Sequence, residues 1–194
     1  MRHTLIALAA LAAVATLAVS TAQAETANYA IDPSHTFVTF EIGHTGTSTN
    51  RGRFDKKEGT AQLDIAGKTG KVDLTIDATS LSTGTAAFNK HLMSADFFNT
   101  EQFPTIKFSA DKFVFSGDKV SEINGTLTLL GKTNPVSLKA SNFNCYQSPM
   151  LKREVCGGDF DTTIQRSQWG MTWGANYGFP DSVHLIVQVE AVKQ

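Results

Sequence analysis

Apolar and polar residues alternate one by one in eight separate stretches of this 194-residue chain. A period of two puts all the apolar side chains of a stretch on one face of an extended strand. In TFVTFEIGH, Val38, Phe40, Ile42 and His44 share a face; in GTAQLDIAG, Ala61, Leu63 and Ile65 do so; in KVDLTIDATS, Val72, Leu74, Ile76 and Ala78. TIKFSADKF aligns Ile106, Phe108 and Ala110, EINGTLTLLG aligns Ile123, Gly125, Leu127 and Leu129, and PVSLKAS aligns Val136, Leu138 and Ala140. GGDFDTTIQR adds Phe160, Thr162 and Ile164, and SVHLIVQVEAV adds Val183, Leu185, Val187, Val189 and Ala191. One-sided alternation predicts antiparallel pairing with one wet face. AGKTGK, SGDK and GKTNP supply turns between the runs. With no repeat, linker or low-complexity stretch, one all-β domain is expected.

Eight such strands fit a sandwich or a barrel. Two features favour the barrel. The long first two strands are joined by GTSTNRGRF, expected as a loose hairpin, and a single helical segment is inserted between the third and fourth. That segment, FNKHLMSADFFNTEQFP, spaces Phe88, Leu92, Ala95 and Phe98 about one helical turn apart. It is too short to pack across a sheet but long enough to close an end. An eight-stranded barrel encloses space that side chains fill or that holds one small ligand. The alternation leaves both interiors open.

The N-terminus sets the expected compartment. Arg2 and His3 precede the apolar run LIALAALAAVATLAV, and the stretch ends in Ala22-Gln23-Ala24. That order predicts a signal peptide over residues 1–24, a mature domain over 25–194, and a periplasmic destination. The formal charge is −1, and loss of Arg2 moves it only slightly, so no basic excess points to nucleic acid. An exported chain favours a disulfide between its two cysteines, Cys145 and Cys156, which are too far apart for a CxxC redox motif and too few for a zinc site.

Catalytic signatures are missing: there is no G-x-S-x-G, no HExxH, and no glycine-rich phosphate loop before a helix. His35 and His44 fall on opposite sides of a regular strand, and His184 falls on an outward position. The inward inventory is Val, Leu, Ile, Phe and Ala, which offers neither nucleophile nor general base. Neither a catalytic residue nor a metal ligand set is expected.

Four motifs in order carry a resemblance. YAIDPSHTFVTFEIGHTGTSTNRGRF (29–54), HLMSADFFNTEQFPTIKF (91–108), INGTLTLLGKTNPVSL (123–138) and RSQWGM (166–171) resemble the YceI-like family of bacterial periplasmic proteins. The Cys145–Cys156 segment is similar to that of a cysteine-bearing branch. Where many relatives carry an Arg-Asp pair before the His-Leu of the second motif, this chain has Asn89-Lys90.

The resemblance implies an eight-stranded antiparallel lipocalin-like barrel with a short helical cap and an apolar tunnel. It also implies a bound isoprenoid lipid, either a polyprenyl chain or an isoprenoid quinone or precursor, and no other cofactor. The tunnel lining is then Phe40, Ile42, Leu63, Ile65, Leu74, Ile76 and Ile106, continued by Phe108, Leu127, Leu129, Leu138, Ile164, Leu185 and Val187. Phe88, Leu92, Phe97 and Phe98 would seal the capped mouth, with Ser94 and Asp96 tying backbone groups there. His91 has two readings, a hydrogen bond to a loop carbonyl or a head-group contact. His44, Asn89, Arg166 and Trp169 stand near an open end. Arg166 either forms a salt bridge at the rim or meets a head group, and Trp169 and Trp173 plug an end. The expected role is a periplasmic carrier, monomeric or homodimeric, that passes lipid to an inner-membrane enzyme or redox protein. The alternative is a redox or stress accessory factor, or an enzyme, acting on a quinone-type lipid.

Overall fold

The computed structural model describes residues 26–194. The expected leader and its cleavage point at Ala24 lie outside the described residues.

Strands β1 (Ala27–Ile31) and β2 (Phe37–His44) run in succession along one neighbour, β11 (Ser182–Lys193). Tyr29 stands opposite Lys193 and Val38 opposite Val187. β3 (Ser48–Phe54) and β4 (Lys57–Asp64) likewise continue one another, pairing with β2 and β1. β5 (Thr69–Asp77) pairs with β4, and the two-residue β6 (Leu81–Ser82) with β3. β7 (Thr105–Ser116), β8 (Lys119–Leu129), β9 (Lys132–Gln147) and β10 (Glu154–Gln165) then follow as antiparallel neighbours and lead to β11. The ring β1-β4-β5-β7-β8-β9-β10-β11 closes through the β1–β11 pairing. The result is the expected eight-stranded antiparallel, lipocalin-like barrel, in which three of the staves are bent. Helix α1 (Ala86–Met93) covers one end.

The bends are held by polar groups at one level of the barrel. Between β1 and β2, Asp32 accepts from the Ser34 N–H and hydroxyl, while the buried Thr36 hydroxyl lies within hydrogen-bond reach of the Glu190 backbone. Between β3 and β4, the Asp55 and Lys56 N–H groups donate to the Ser80 carbonyl and hydroxyl. Asp77 opens the third bend by accepting from the Thr79 N–H at 2.9 Å. Each bend gives local partners to backbone groups that lose their ladder partners there.

Ser48–Phe54 is a seven-residue strand in full register with β2, not a loose hairpin. Its inward positions read Asn50, Gly52, Phe54, so the hydrophobic signal is hidden at two of three. Gly52 is required there because the Phe40 ring occupies the space its Cβ would take. β1 also escapes the alternation, being five residues long, although Tyr29 and Ile31 are both buried.

A register shift between Asp159 and Phe160 on β10 moves the buried side of β9 from Val136 and Leu138 to Phe143. Just beyond it, Cys145 and Cys156 stand opposite each other and form the disulfide. Cys156 is buried in the core cluster and Cys145 packs against that cluster, so the bridge belongs to the barrel wall and not to a loop beside it. Replacing both cysteines with alanine should lower unfolding stability by about 3 kcal/mol in the chain-entropy picture, read from urea denaturation of the oxidised wild type against the variant. Unchanged stability would show that the bridge does not constrain the unfolded chain.

The bend at Asp32 carries a pH dependence. The His35 ring, 2.7 Å away, and then the Ser34 hydroxyl hold the Asp32 carboxyl at about 2. The same contact raises His35 above its ordinary value. A depressed carboxyl contributes stability above its unfolded value, lost as pH falls through the folded one. A raised imidazole contributes stability at low pH, lost as pH rises through its folded value. The wild type should therefore exceed Asp32→Asn most between about pH 4 and the neutral range, with the gap closing towards pH 2 and narrowing on the alkaline side. Thermal melts of both proteins across that range test this; a constant gap would mean the pair is not coupled to folding.

Candidate functional site

The inward side chains do not fill the barrel. Three cavities lie in series along it. The far one, about 80 Å³, is walled by Leu74, Phe108, Leu138, Phe160, Val187 and neighbours. The middle one, about 110 Å³, is walled by Phe40, Phe54, Ile106, Leu129, Ile164, Met171 and neighbours. Val38, Ile76, Leu127 and Leu185 belong to both walls and form the waist between them. The third, about 220 Å³, sits under the cap among Ile42, His44, Asn50, Phe88, His91, Phe97, Trp173 and Phe179. Ile42, Leu92, Phe97 and Arg166 are shared by the middle cavity and the mouth. The interior is thus a column of apolar spaces rather than one open tunnel. At the shared side chains opposite walls close in, because a gap would forfeit dispersion contacts. A wider depression on the outer wall is lined mostly by polar and charged residues, among them Lys71, Asp73, Asp111 and Lys112.

The sequence-predicted residues distribute along this column. Phe40, Ile106, Leu129 and Ile164 wall the middle, Leu74, Phe108, Leu138 and Val187 the far space, and Ile76, Leu127 and Leu185 the waist. Phe98 reaches the middle space, its ring 5.8 Å from Phe40 and 5.4 Å from Phe54. His44 and Phe88 face the mouth. Leu63 and Ile65 pack in the core but line none of the three spaces. Val38, Phe54, Asn50 and Phe179 line the column without having been expected there. Val38 carries the signal, since it shares the face of Phe40; Phe54 and Asn50 lie in the segment whose alternation is masked.

The cap differs in detail from expectation. Helix α1 stops at Met93, and turns carry the chain from Ser94 to Phe103. The Ser94 hydroxyl donates to the His91 carbonyl at 2.7 Å, as a helix-ending tie. Among the described residues the His91 ring reaches no loop carbonyl: it sits edge-on to Phe97 and Trp173, each 5.0 Å away, with Nε2 3.5 Å from Asp96. The Asp96 carboxylate therefore faces an imidazole, not the backbone. Asn89 accepts from the Thr83 N–H and hydroxyl at 2.7 Å, which places it in a loop tie outside the column.

Arg166 is 3% exposed and forms no rim salt bridge among the described residues. Nε donates to the Pro180 carbonyl at 2.9 Å, and Nη1 to the Met171 and Trp173 carbonyls at 3.2 and 2.8 Å. Gly170, at φ 88°, makes the turn that brings Met171 back over Arg166. The nearest acid, Asp181, is occupied by the Ser167 N–H and hydroxyl, which hold its carboxyl below the ordinary range. Burial pushes the Arg166 guanidinium below its ordinary value, opposed by the charge of Asp181. Trp169 is 1% exposed, and its indole N–H donates to the Leu127 carbonyl at 3.0 Å, pinning the Arg166–Trp169 turn to β8.

His184 faces outward, as expected, between Asp161 at 3.3 Å and Glu41 at 3.6 Å. Among the described residues no group of three or more His, Cys, Asp or Glu side chains is placed to hold a metal ion.

The YceI-like domain matches residues 29–191. The chain belongs to the YceI-like family. It is 39% identical over 183 residues to the Escherichia coli O157:H7 protein YceI, covering 93% of this chain and 94% of that one. The crystal structure of the Campylobacter jejuni YceI protein superposes with a TM-score of 0.70 at 25% identity, over 79% of this chain and 90% of that one. A polyisoprenoid binding domain from Saccharophagus degradans, implicated in plant cell wall breakdown, has the same fold, with a TM-score of 0.63 at 15% identity over 88% of this chain and all of the other. The YceI-like barrel therefore spans nearly all the described residues.

Proposed function

We propose that this chain is a periplasmic carrier that holds a long isoprenoid lipid in the column of the barrel. One observation carries the reading: apolar spaces run in series from the far end to the cap, with polar side chains confined to the mouth and its junction with the middle space. A related fold described as a polyisoprenoid binding domain supports it, as does the disulfide, which suits an oxidising compartment.

The driving force is hydrophobic transfer, worth roughly 0.8 kcal/mol per buried CH₂. A ligand of about forty carbons at roughly 0.3 kcal/mol per atom reaches about nanomolar affinity with little polar recognition. A prenyl chain threads the waist when Val38, Ile76, Leu127 and Leu185 turn to other rotamers. Chain length then sets selectivity, since each further isoprene unit must reach the next space. Delivery to an inner-membrane enzyme or redox protein is the role such a carrier would serve.

The test is organic extraction of the natively purified protein followed by mass spectrometry. A stoichiometric isoprenoid is expected. Extracts without any apolar compound, together with failure to take up added prenyl alcohols, would end the carrier reading.

A further inference from the structure

The column contains one permanent cation. Arg166 lies where the middle cavity meets the mouth, almost wholly removed from solvent. A buried guanidinium is costly unless its donors are satisfied and its charge is balanced. Three carbonyls occupy Nε and Nη1. Nη2 has no acceptor among the described residues, and no carboxylate lies within ion-pair distance of the side chain. Asp181, the nearest acid, has both carboxylate oxygens engaged by Ser167.

The rest of the mouth does not balance the charge either. Its lining adds His44, His91 and Asn50 as polar groups and contains no carboxylate. His91 leans on Asp96, but Asp96 is exposed and outside the lining. The apolar column therefore ends at a fixed positive charge with an unused N–H donor, under a ceiling of aromatic rings. Such a site accepts an oxygen anion far better than a cation, since N–H donors on a charged guanidinium bond anionic oxygen about twice as strongly as neutral pairs do.

We propose that Arg166 anchors the head group of the bound lipid through Nη2, and that this head group carries an anionic oxygen, as in a prenyl phosphate or a prenylated carboxylic acid. The assignment rests on the carrier reading above and adds the chemistry of the ligand's polar end. The chain-binding spaces set tail length; Arg166 sets head charge. Its three carbonyl contacts hold the guanidinium in place before the ligand arrives, so binding does not have to order it.

Two probes with one tail separate the two readings. The purified mature chain is titrated with geranylgeraniol and with geranylgeranyl monophosphate, below their micelle concentrations and at fixed ionic strength, by tryptophan fluorescence. The phosphate should bind at least about tenfold more tightly, the scale of one charge-assisted hydrogen bond. Arg166→Met should erase that preference while retaining the alcohol. Asn50→Asp, which adds a negative charge to the mouth and leaves every carbonyl contact of Arg166 in place, should reduce it several-fold, and it decides the matter if Arg166→Met does not fold. Equal wild-type affinity for both probes overturns the anchor and leaves the carrier reading standing. Wild-type binding of neither overturns both. A preference that survives in the folded variants assigns the selectivity elsewhere and overturns the role of Arg166.

Discussion

Leu127→Arg should abolish retention of any apolar ligand and should be the most damaging single change in the barrel. Leu127 is buried and forms part of both the far and middle cavity walls. An arginine there would place a charge at the waist with only aliphatic and aromatic neighbours. Desolvating an unpaired charge costs at least several kcal/mol, a large share of the roughly 5–15 kcal/mol by which a domain of this size is stable. Loss of ligand could therefore follow from loss of fold. Leu127→Trp separates the two effects. It fills the waist with apolar volume, at an overpacking cost of about 1–3 kcal/mol. The folded variant should lose long prenyl chains and keep short ones, which need only the middle space and the mouth. Mass spectrometry of extracts measures the first effect and circular dichroism melts the second. A folded Leu127→Trp that retains a forty-carbon chain would show that the ligand does not pass between Leu127 and its three partners at the waist.

The inward placement of Leu127 depends on the strand register, and that register is legible in the sequence because the period is two and one face is buried. A slip of one residue would turn Leu127 and Leu185 outward, so their inward positions follow from alternation alone. The segments that escape such a reading are those where alternation is masked. In Ser48–Phe54 the inward residues are Asn50, Gly52 and Phe54, and Gly52 is small because Phe40 needs the room. A cross-strand packing constraint of that kind is invisible within the segment itself. The bends at Asp32, Asp55 and Asp77 follow the same logic. Each Asp sits in a local hydrogen-bond pattern that can be recognised, but only the closed ring shows that all three lie at one level.

The site divides along the same line. Positions on strands are legible because the strand gives their direction. Positions on the cap and on the turn after β10 are not, because irregular backbone has no period. Arg166 continues the inward register of Ile164, which is enough to place it at the column. Nothing in the chain's pattern signals that its partners are carbonyls from Met171, Trp173 and Pro180, since the first two come back through the turn at Gly170 and the third through the loop before β11. For His91, spacing identifies a residue at the mouth, but its contacts are aromatic edges rather than hydrogen bonds to the backbone.

Trp169→Ala should cost about 3–5 kcal/mol of unfolding free energy, the range for deleting a buried tryptophan, and should weaken ligand retention without touching the cavity wall. Trp169 is among the most deeply buried side chains, and it lines none of the three spaces. Its indole N–H donates to the Leu127 carbonyl, so it joins the Arg166–Trp169 turn to β8. Loss of the ring removes packing, leaves that carbonyl with one donor fewer, and frees the turn that carries Arg166. Trp169→Phe keeps most of the volume and loses only the donor, for which about 1 kcal/mol is expected. Urea denaturation with unchanged m-values should show this ordering, wild type above Phe above Ala. In the folded Ala variant, Arg166 should hold a prenyl phosphate less tightly while prenyl alcohol binding changes less, because the tail spaces are intact and only the anchor is loosened. If Trp169→Ala weakened both probes equally, the indole would be supporting the barrel as a whole and not the placement of Arg166.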